Sequence, residues 1–298
     1  MRDIDVFHHI GLVGRDLAAL SAQIERLGFL LTPLSMPEIQ LRPGAPNEPV
    51  GVGNRCAILE NSYLELLGVV DPARWDAIPP ERRGPYDIDR ALVRYEGLHV
   101  MHFGTGDLDA VRVRLAAAGF EPSPIRPFQR IVDTQAGPAT MRARTLSLPR
   151  EDAPEALFQV VQHETPELVL QRRYMAHDNG ARTIDDVILC VADPDEAAAR
   201  YARIAGKPVL AEGATHRIDL GRSSLVIANP EGLATILPGA EPPKLPFLAG
   251  FSVTAEQGAA SAFFARRGIP ITQHRDLIIV RPDIAGGAFI RFKPAAPT

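Results

Sequence analysis

The chain has 298 residues, which is long enough for about two domains of ordinary size. With 46% hydrophobic and 23% charged residues it has a globular composition, which excludes wholesale disorder. The net charge of −4 argues against nucleic acid and acidic membranes as partners, because both select basic surfaces. Cys56 and Cys190 match no metal or redox spacing, and no apolar leader or membrane-spanning run is present. We therefore expect a cytoplasmic protein with buried free thiols.

The first predicted unit begins with a strand over residues 6–13. Asp16 caps the following helix, whose leucines and isoleucine recur at helical spacing, and Gly28 ends it. Three further strands are predicted from alternating or continuous apolar runs, at residues 29–32, 55–59 and 63–70. The order of elements is β-α-β-β-β.

The same order recurs along the chain. A strand at 98–103 leads into a helix that Asp107 caps and Gly119 ends, and this spacing equals that from Asp16 to Gly28. A third unit starts at 185–191 and a fourth at 247–253, both with weaker patterns. A βαβββ unit has one open edge and one apolar face, so it cannot stand alone. We predict an α+β fold in which four βαβββ modules form two pairs, at residues 1–178 and 179–298, each a curved mixed sheet around a cavity with helices outside.

These motifs resemble the vicinal oxygen chelate superfamily, and within it the bacterial glyoxalase-like proteins built as tandem pairs. The resemblance is carried by four segments: His9-Ile-Gly-Leu-Val-x-x-Asp16-Leu, Gly28-Phe, Tyr63-Leu-Glu65-Leu-Leu, and Gly97-Leu-His99 through Asp107-Leu-Asp. It is strong in the first two units and weak in the last two.

The resemblance implies that each unit of a pair supplies a His or Gln from its first strand and a Glu from its last, and that these hold a divalent metal. In the first unit these residues are His9 and Glu65. In the second unit the matched position is Val100, so we expect His102, on the same strand face, to take its place. Gln159 stands where the family has its second Glu. The expected cofactor is Zn²⁺, Mn²⁺, Fe²⁺, Co²⁺ or Ni²⁺, with no organic cofactor.

The same four residues could instead form a hydrogen-bonded polar cluster around a pocket without metal. Glu65 is the expected acid–base residue, because a neutral Gln cannot act as a base. Tyr63 shares the face of Glu65 and is an expected substrate contact. Arg142 and Arg144 share one face of a strand. If that face lines the cavity, they bind a carboxylate or phosphate of the substrate; otherwise they are solvated.

The remaining histidines are expected outside the site. His8 is predicted to face the helices or solvent, and the others are predicted in turns, polar loops or exposed positions: His163, His177, His216 and His274.

In the third and fourth units the corresponding positions are assigned to Asp186, Val226, Leu248 or Ala249, and Arg291. No divalent site survives these replacements. We therefore expect the second pair to be a scaffold, a dimer surface in a homodimer, or a lid. The replacements also disfavour ring-cleaving extradiol dioxygenases of the two-pair kind, whose iron lies in the later pair.

The leading hypothesis is a metal-dependent lyase or isomerase that chelates two oxygens of a small, oxygen-rich molecule and stabilises an enolate-type intermediate. The rival hypothesis is a protein that sequesters a small molecule without metal, as the bleomycin-resistance relatives do. The residues do not specify the substrate.

Overall fold

The computed structural model describes residues 3–39, 44, 46–83 and 88–295. The first unit is built from the following elements: strand β1 (Ile4–Gly14), helix α1 (Leu17–Arg26), strands β2 (Glu38–Ile39) and β3 (Glu48–Pro49), and strands β4 (Val52–Ile58) and β5 (Tyr63–Val69). The predicted strand at 29–32 does not form. Its backbone reaches β4 through the Thr32 amide, which donates to the Cys56 carbonyl, but Pro33 has no N–H to continue a ladder.

Two short helices, α2 (Pro72–Asp76) and α3 (Asp89–Leu92), lead to the second unit. That unit consists of β6 (Gly97–Thr105), α4 (Leu108–Ala117), β7 (Arg126–Thr134), β8 (Gly137–Leu146) and β9 (Leu157–His163). The predicted caps are present, since the Asp16 side chain accepts from the amides of Ala18 and Ala19, and that of Asp107 from Ala110.

The third unit consists of β10 (Ala181–Cys190), α5 (Pro194–Ala205), β11 (Leu210–Glu212), β12 (Thr215–Asp219) and β13 (Ser224–Ala228). Helix α6 (Pro230–Ile236) connects it to the fourth, which consists of β14 (Phe247–Ala255), α7 (Ala259–Arg267), β15 (Thr272–His274), β16 (Leu277–Val280) and β17 (Phe289–Pro294). None of the helices in the described part of the chain has the length and apolar character that a membrane crossing requires.

The units associate in pairs through their first strands. β1 runs antiparallel to β6, and β10 runs antiparallel to β14. Each first strand also runs parallel to the last strand of its own unit, as β1 does to β5 and β6 to β9. The sheets of the two pairs meet at the bridge between Leu98 and Leu248. The predicted fold class is confirmed: an α+β protein with a large, open, curved sheet.

The two pairs also share packing away from the sheet. The main hydrophobic core takes residues from both, and the rings of Phe29 and Phe292 lie 6.1 Å apart within it. A buried ion pair joins Arg200 of α5 to Glu155 at 2.5 Å. The division at residue 178 remains a prediction.

The connection between the pairs is anchored on the first unit. His177, predicted in a polar loop, is only 8% exposed: its Nδ1 accepts from the Leu30 amide and its Nε2 donates to the Ile58 carbonyl, each at 2.9 Å. His177 thus lies in a loop, as expected, and it is buried there because backbone groups of the first unit satisfy both ring nitrogens.

Candidate functional site

The expected site residues lie on one face of the first pair's sheet, which we call the inner face. Strand register places His9 opposite His102 across β1 and β6, and His102 beside Gln159 across β6 and β9. Glu65 lies beside Gly11 on β5. The neighbours Leu64 and Leu66 point to the other face and are fully buried in the main core. The pairing of β5, β1, β6 and β9 therefore places the four residues on one face, with His9 in contact with both Glu65 and His102.

His9 and Glu65 face each other with one polar atom each. His9 Nε2 lies 3.7 Å from Glu65 Oε2. The other atom of each side chain is already engaged: His9 Nδ1 lies 2.6 Å from His8 Nδ1, and Asn54 Nδ2 donates to Glu65 Oε1 at 2.7 Å. Outer partners of this kind orient metal-binding side chains. His9 Nε2 and Glu65 Oε2 therefore point toward a common position between the two side chains.

His8 also lies on the inner face, and the expectation that it faces helices or solvent was wrong. Between Phe7 and His9 the register shifts, because β1 advances two residues while β6 advances one. His8 is the extra residue of this β-bulge, which lets neighbouring side chains share a face. The His8 ring contacts those of His9 and His163, with centroids 4.9 and 4.3 Å away.

His163 is likewise part of the site rather than a surface turn, because it is the last residue of β9 and alternates with Gln159 on the inner face. We call His8, His9, His102 and His163 the histidine cluster. Burial lowers the pKa of all four, to about 3 for His102 and about 4 for His163. The imidazoles are therefore neutral at neutral pH.

Two buried nitrogen atoms of the cluster have no hydrogen-bond partner among the described residues. They are His8 Nε2 and His102 Nδ1. Neutral imidazole is the form that binds a metal ion or accepts a proton. The cluster therefore has free capacity for a ligand.

Glu65 and Tyr63 complete the inner face on β5. Burial raises the pKa of Glu65, whereas the Asn54 hydrogen bond and the charge of Arg130 act in the opposite direction. The Tyr63 ring stacks on that of His9 with centroids 4.6 Å apart and an interplanar angle of 10°. Burial raises the pKa of Tyr63 well above its ordinary value, so its hydroxyl stays a donor.

The structure does not place Arg142 and Arg144, the two predicted substrate-binding arginines, on the inner face. Met141 and Ala143 turn inward and pack in a buried cluster with Val161, so the alternating residues of β8 point outward. Arg142 is exposed, and Arg144 forms an ion pair with Asp109 of α4 at 2.8 Å. The hypothesis that these two arginines line the cavity is therefore corrected.

A different arginine occupies the inner face. Arg130 of β7 pairs in register with Met141 and shares its side of the hairpin. Its Nη1 donates to Ser35 Oγ at 3.2 Å, while its buried Nε has no partner among the described residues. The sequence does carry a signal for it: Phe128, Arg130 and Val132 alternate ahead of the turn at 134–137.

Whether these residues fit a divalent metal depends on donor chemistry and on arrangement. The chemistry fits, because His9 faces an oriented carboxylate and its ring contacts the neutral imidazoles of His8 and His102. The arrangement is less complete: in the described ranges, no three His, Cys, Asp or Glu side chains are placed to hold one ion. The assignment of His9, Glu65, His102 and Gln159 as metal ligands therefore stays a prediction.

The same register positions in the second pair hold an ion cluster. Asp186 lies opposite Ser252, and Ser252 lies beside Arg291, in the places of His9, His102 and Gln159, so the assignment of Leu248 or Ala249 was wrong. Asp186 accepts from Ser252 Oγ, Arg291 Nη2 and Lys293 Nζ, each at 2.6 Å. Burial alone would raise the pKa of Asp186, but these cations lower it to about 2.

Comparison with known proteins gives a family and a fold. A family model described as a glyoxalase-like domain matches residues 7–205. No curated protein matches the chain. A hypothetical protein from Staphylococcus aureus superposes with a TM-score of 0.62 at 15% identity, over 97% of this chain and 99% of that one.

Two characterised structures also superpose over nearly all of the chain. A variant of 4-hydroxymandelate synthase from Streptomyces coelicolor gives a TM-score of 0.58 at 13% identity, covering 100% of this chain and 95% of that one. A Mn(II)-bound glyoxalase from Novosphingobium aromaticivorans gives 0.54 at 11%, covering 99% and 83%. At such identities the likeness establishes the fold alone.

Proposed function

The chain belongs to the glyoxalase-like domain family, and from this premise we propose that it is a metal-dependent lyase or isomerase whose active site lies on the inner face of the first pair. One observation carries the proposal. His9 Nε2 and Glu65 Oε2 face each other at 3.7 Å while outer partners hold the other polar atom of each. The Mn(II)-bound glyoxalase of the same fold supports metal use in such a frame.

The side chains supply the remaining functions. A bound divalent ion would act as a Lewis acid toward two oxygens of the substrate. Glu65 would move the proton, because among the described residues it is the carboxylate within 4.0 Å of a cluster histidine, and burial brings its pKa closer to neutrality. Tyr63 would donate its hydroxyl hydrogen to a substrate oxygen. The buried Met141 and Val161 beside it limit access of water.

Metal analysis of protein prepared without a polyhistidine tag tests the proposal. We expect near-stoichiometric metal in the wild type, loss of metal in His9→Ala and His102→Ala, and at least about tenfold weaker binding in Glu65→Gln, because an amide carries no charge. His216→Ala is the matched control, since His216 belongs to the second pair and contacts Asp195 at 2.7 Å. Equal metal content in all five proteins would contradict the proposal.

The rival function, sequestering of a small molecule without metal, is favoured by the incomplete ligand arrangement and by the neutral Gln159. It predicts a wild type without metal, and His9→Ala and Glu65→Gln variants that lose affinity for an organic ligand only modestly. Mass spectrometry of the purified protein would detect such a ligand, so one preparation distinguishes the two functions.

A further inference from the structure

We propose that the ligand of this site carries an anionic group, bound by Arg130, and an apolar part that lies beside Phe128. The inference deepens the proposed function and depends on it only for the location of the site. It is argued from three observations: Arg130 has no carboxylate partner among the described residues, it lies beside the histidine cluster, and the exposed Phe128 shares its face of β7.

Arg130 differs from the well-buried arginines of this protein. Arg83, Arg200 and Arg291 are each less than a tenth exposed, and each has a carboxylate partner: Asp89, Glu155 and Asp186. Within residues 3–39, 44, 46–83 and 88–295, no carboxylate oxygen lies within 4.0 Å of the Arg130 guanidinium.

The guanidinium is only partly satisfied by the protein. Among the residues that the structure describes, it donates to Ser35 Oγ, and its buried Nε donates to none of them. A guanidinium presents five donors in a fixed plane that matches a carboxylate or phosphate. A partly buried cation without a counter-charge is costly, and an anionic ligand would offset that cost. Arg130 therefore has both the charge and the free donors for an anion.

Arg130 belongs to the same site as the histidine cluster. Burial has the largest effect on the pKa of His9, Tyr63, Glu65 and His163, and the positive charge of Arg130 acts on each of them as well. The imidazoles carry no charge, and Glu65 is held by Asn54. An anion on Arg130 would therefore lie next to the reacting groups and meet few competing charges.

An exposed aromatic residue lies on the same face of β7 as Arg130. Phe128 is two residues before Arg130, so their side chains share one side of the hairpin, and Phe128 is 43% exposed. Exposed apolar groups at a polar site suit a ligand with a hydrophobic body. This favours an amphipathic organic anion over inorganic phosphate.

A pair of probes that differ only in charge tests the inference. Phenylacetate and phenylacetamide are titrated into wild-type protein and followed by ligand-observed NMR. We expect the anion to bind at least about tenfold more tightly than the amide, because bonds to charged groups exceed neutral ones. Arg130→Met should abolish this preference, and Arg130→Lys should retain part of it through charge alone.

Arg142→Met is the matched control, because Arg142 lies on the neighbouring strand but is exposed on the opposite face; its preference should equal that of the wild type. Equal binding of the two probes, binding of neither, or a full preference in a folded Arg130→Met variant would overturn the inference.

Metal content measured on the same samples separates the inference from the proposed function. If metal-free protein prefers the anion, the result supports the inference and contradicts metal dependence. If the protein binds metal but does not prefer the anion, the result supports metal dependence and contradicts the inference.

Discussion

The two pairs of this protein use one structural frame for opposite purposes. In the first pair, His9 and His102 face each other across the central strands, and in the second pair Asp186 and Ser252 do so. Among the described residues, the first set leaves His102 Nδ1 without a partner, whereas in the second set Asp186 is paired with Arg291 and Lys293. The frame thus fixes where side chains converge, and their chemistry decides whether a ligand is needed there.

The likeness extends to the bulge and to the packing. Asp185 is the extra residue of β10 as His8 is of β1. In each pair, the two central strands approach closely where a glycine faces a larger residue. In the first pair these residues are Gly11 of β1 and Val100 of β6. In the second pair the order is reversed, with Ile188 against Gly250. The positive charge that a metal would supply to such a frame is supplied in the second pair by the chain itself.

The largest expected effect comes from breaking the ion cluster of the second pair. Asp186→Ala leaves the buried Arg291 without its carboxylate, so we expect the free energy of unfolding to fall by about 3–5 kcal/mol, measured by chemical denaturation. Ligand and metal binding by the first pair should persist in the folded variant. Loss of that binding would show that the two pairs are coupled at the site.

The glycines test the reversed packing. A Cβ on Gly250 would lie 2.1 Å from the Phe289 carbonyl oxygen, whereas one on Gly11 would lie 2.8 Å from Val100 Cβ. Backbone yields less than a side chain, so Gly250→Ala should cost about 1–3 kcal/mol or more and Gly11→Ala less. Adding Val100→Gly, which removes the Cβ of residue 100, should relieve the Gly11→Ala variant. Similar costs for both glycine variants in thermal denaturation would refute the asymmetry.

The pH dependence of stability should separate the two clusters. The pKa of His102 falls from 6.5 to about 3 on folding, so its contribution is present above pH 6.5 and is lost as the pH falls toward 3. Asp186 loses its contribution only between about pH 3.8 and 2. With chelator present, His102→Gln should reduce the slope of unfolding free energy between pH 6 and 4 by about 1.4 kcal/mol per pH unit. An unchanged slope would show that His102 is not held neutral by burial.

The smallest effect is expected on the outer face. Arg144→Ala removes an ion pair with Asp109, whose side chain is 68% exposed, so stability should change by less than about 1 kcal/mol. Binding of phenylacetate should not change. A marked loss of binding would return Arg144 to the site and contradict its outward orientation.

Much of the frame could be predicted because its signals are local. The caps at Asp16 and Asp107, the repeated spacing and the apolar alternation determine which elements form, and the parallel pairing of β1 with β5 then brings His9 to Glu65. The predicted strand at 29–32 failed because a single proline removes a ladder donor, which apolar composition does not reveal.

The sequence alone therefore determined the four units, their class of fold and the meeting of His9 with Glu65. Only the tertiary structure decided that His8 and His163 join them and that Arg130, rather than Arg142 or Arg144, lies on the inner face. The reason is physical: alternation shows which residues of a strand share a side, but packing decides which side turns inward. A single bulged residue, which only the pairing of β1 with β6 reveals, then changes the face of His8.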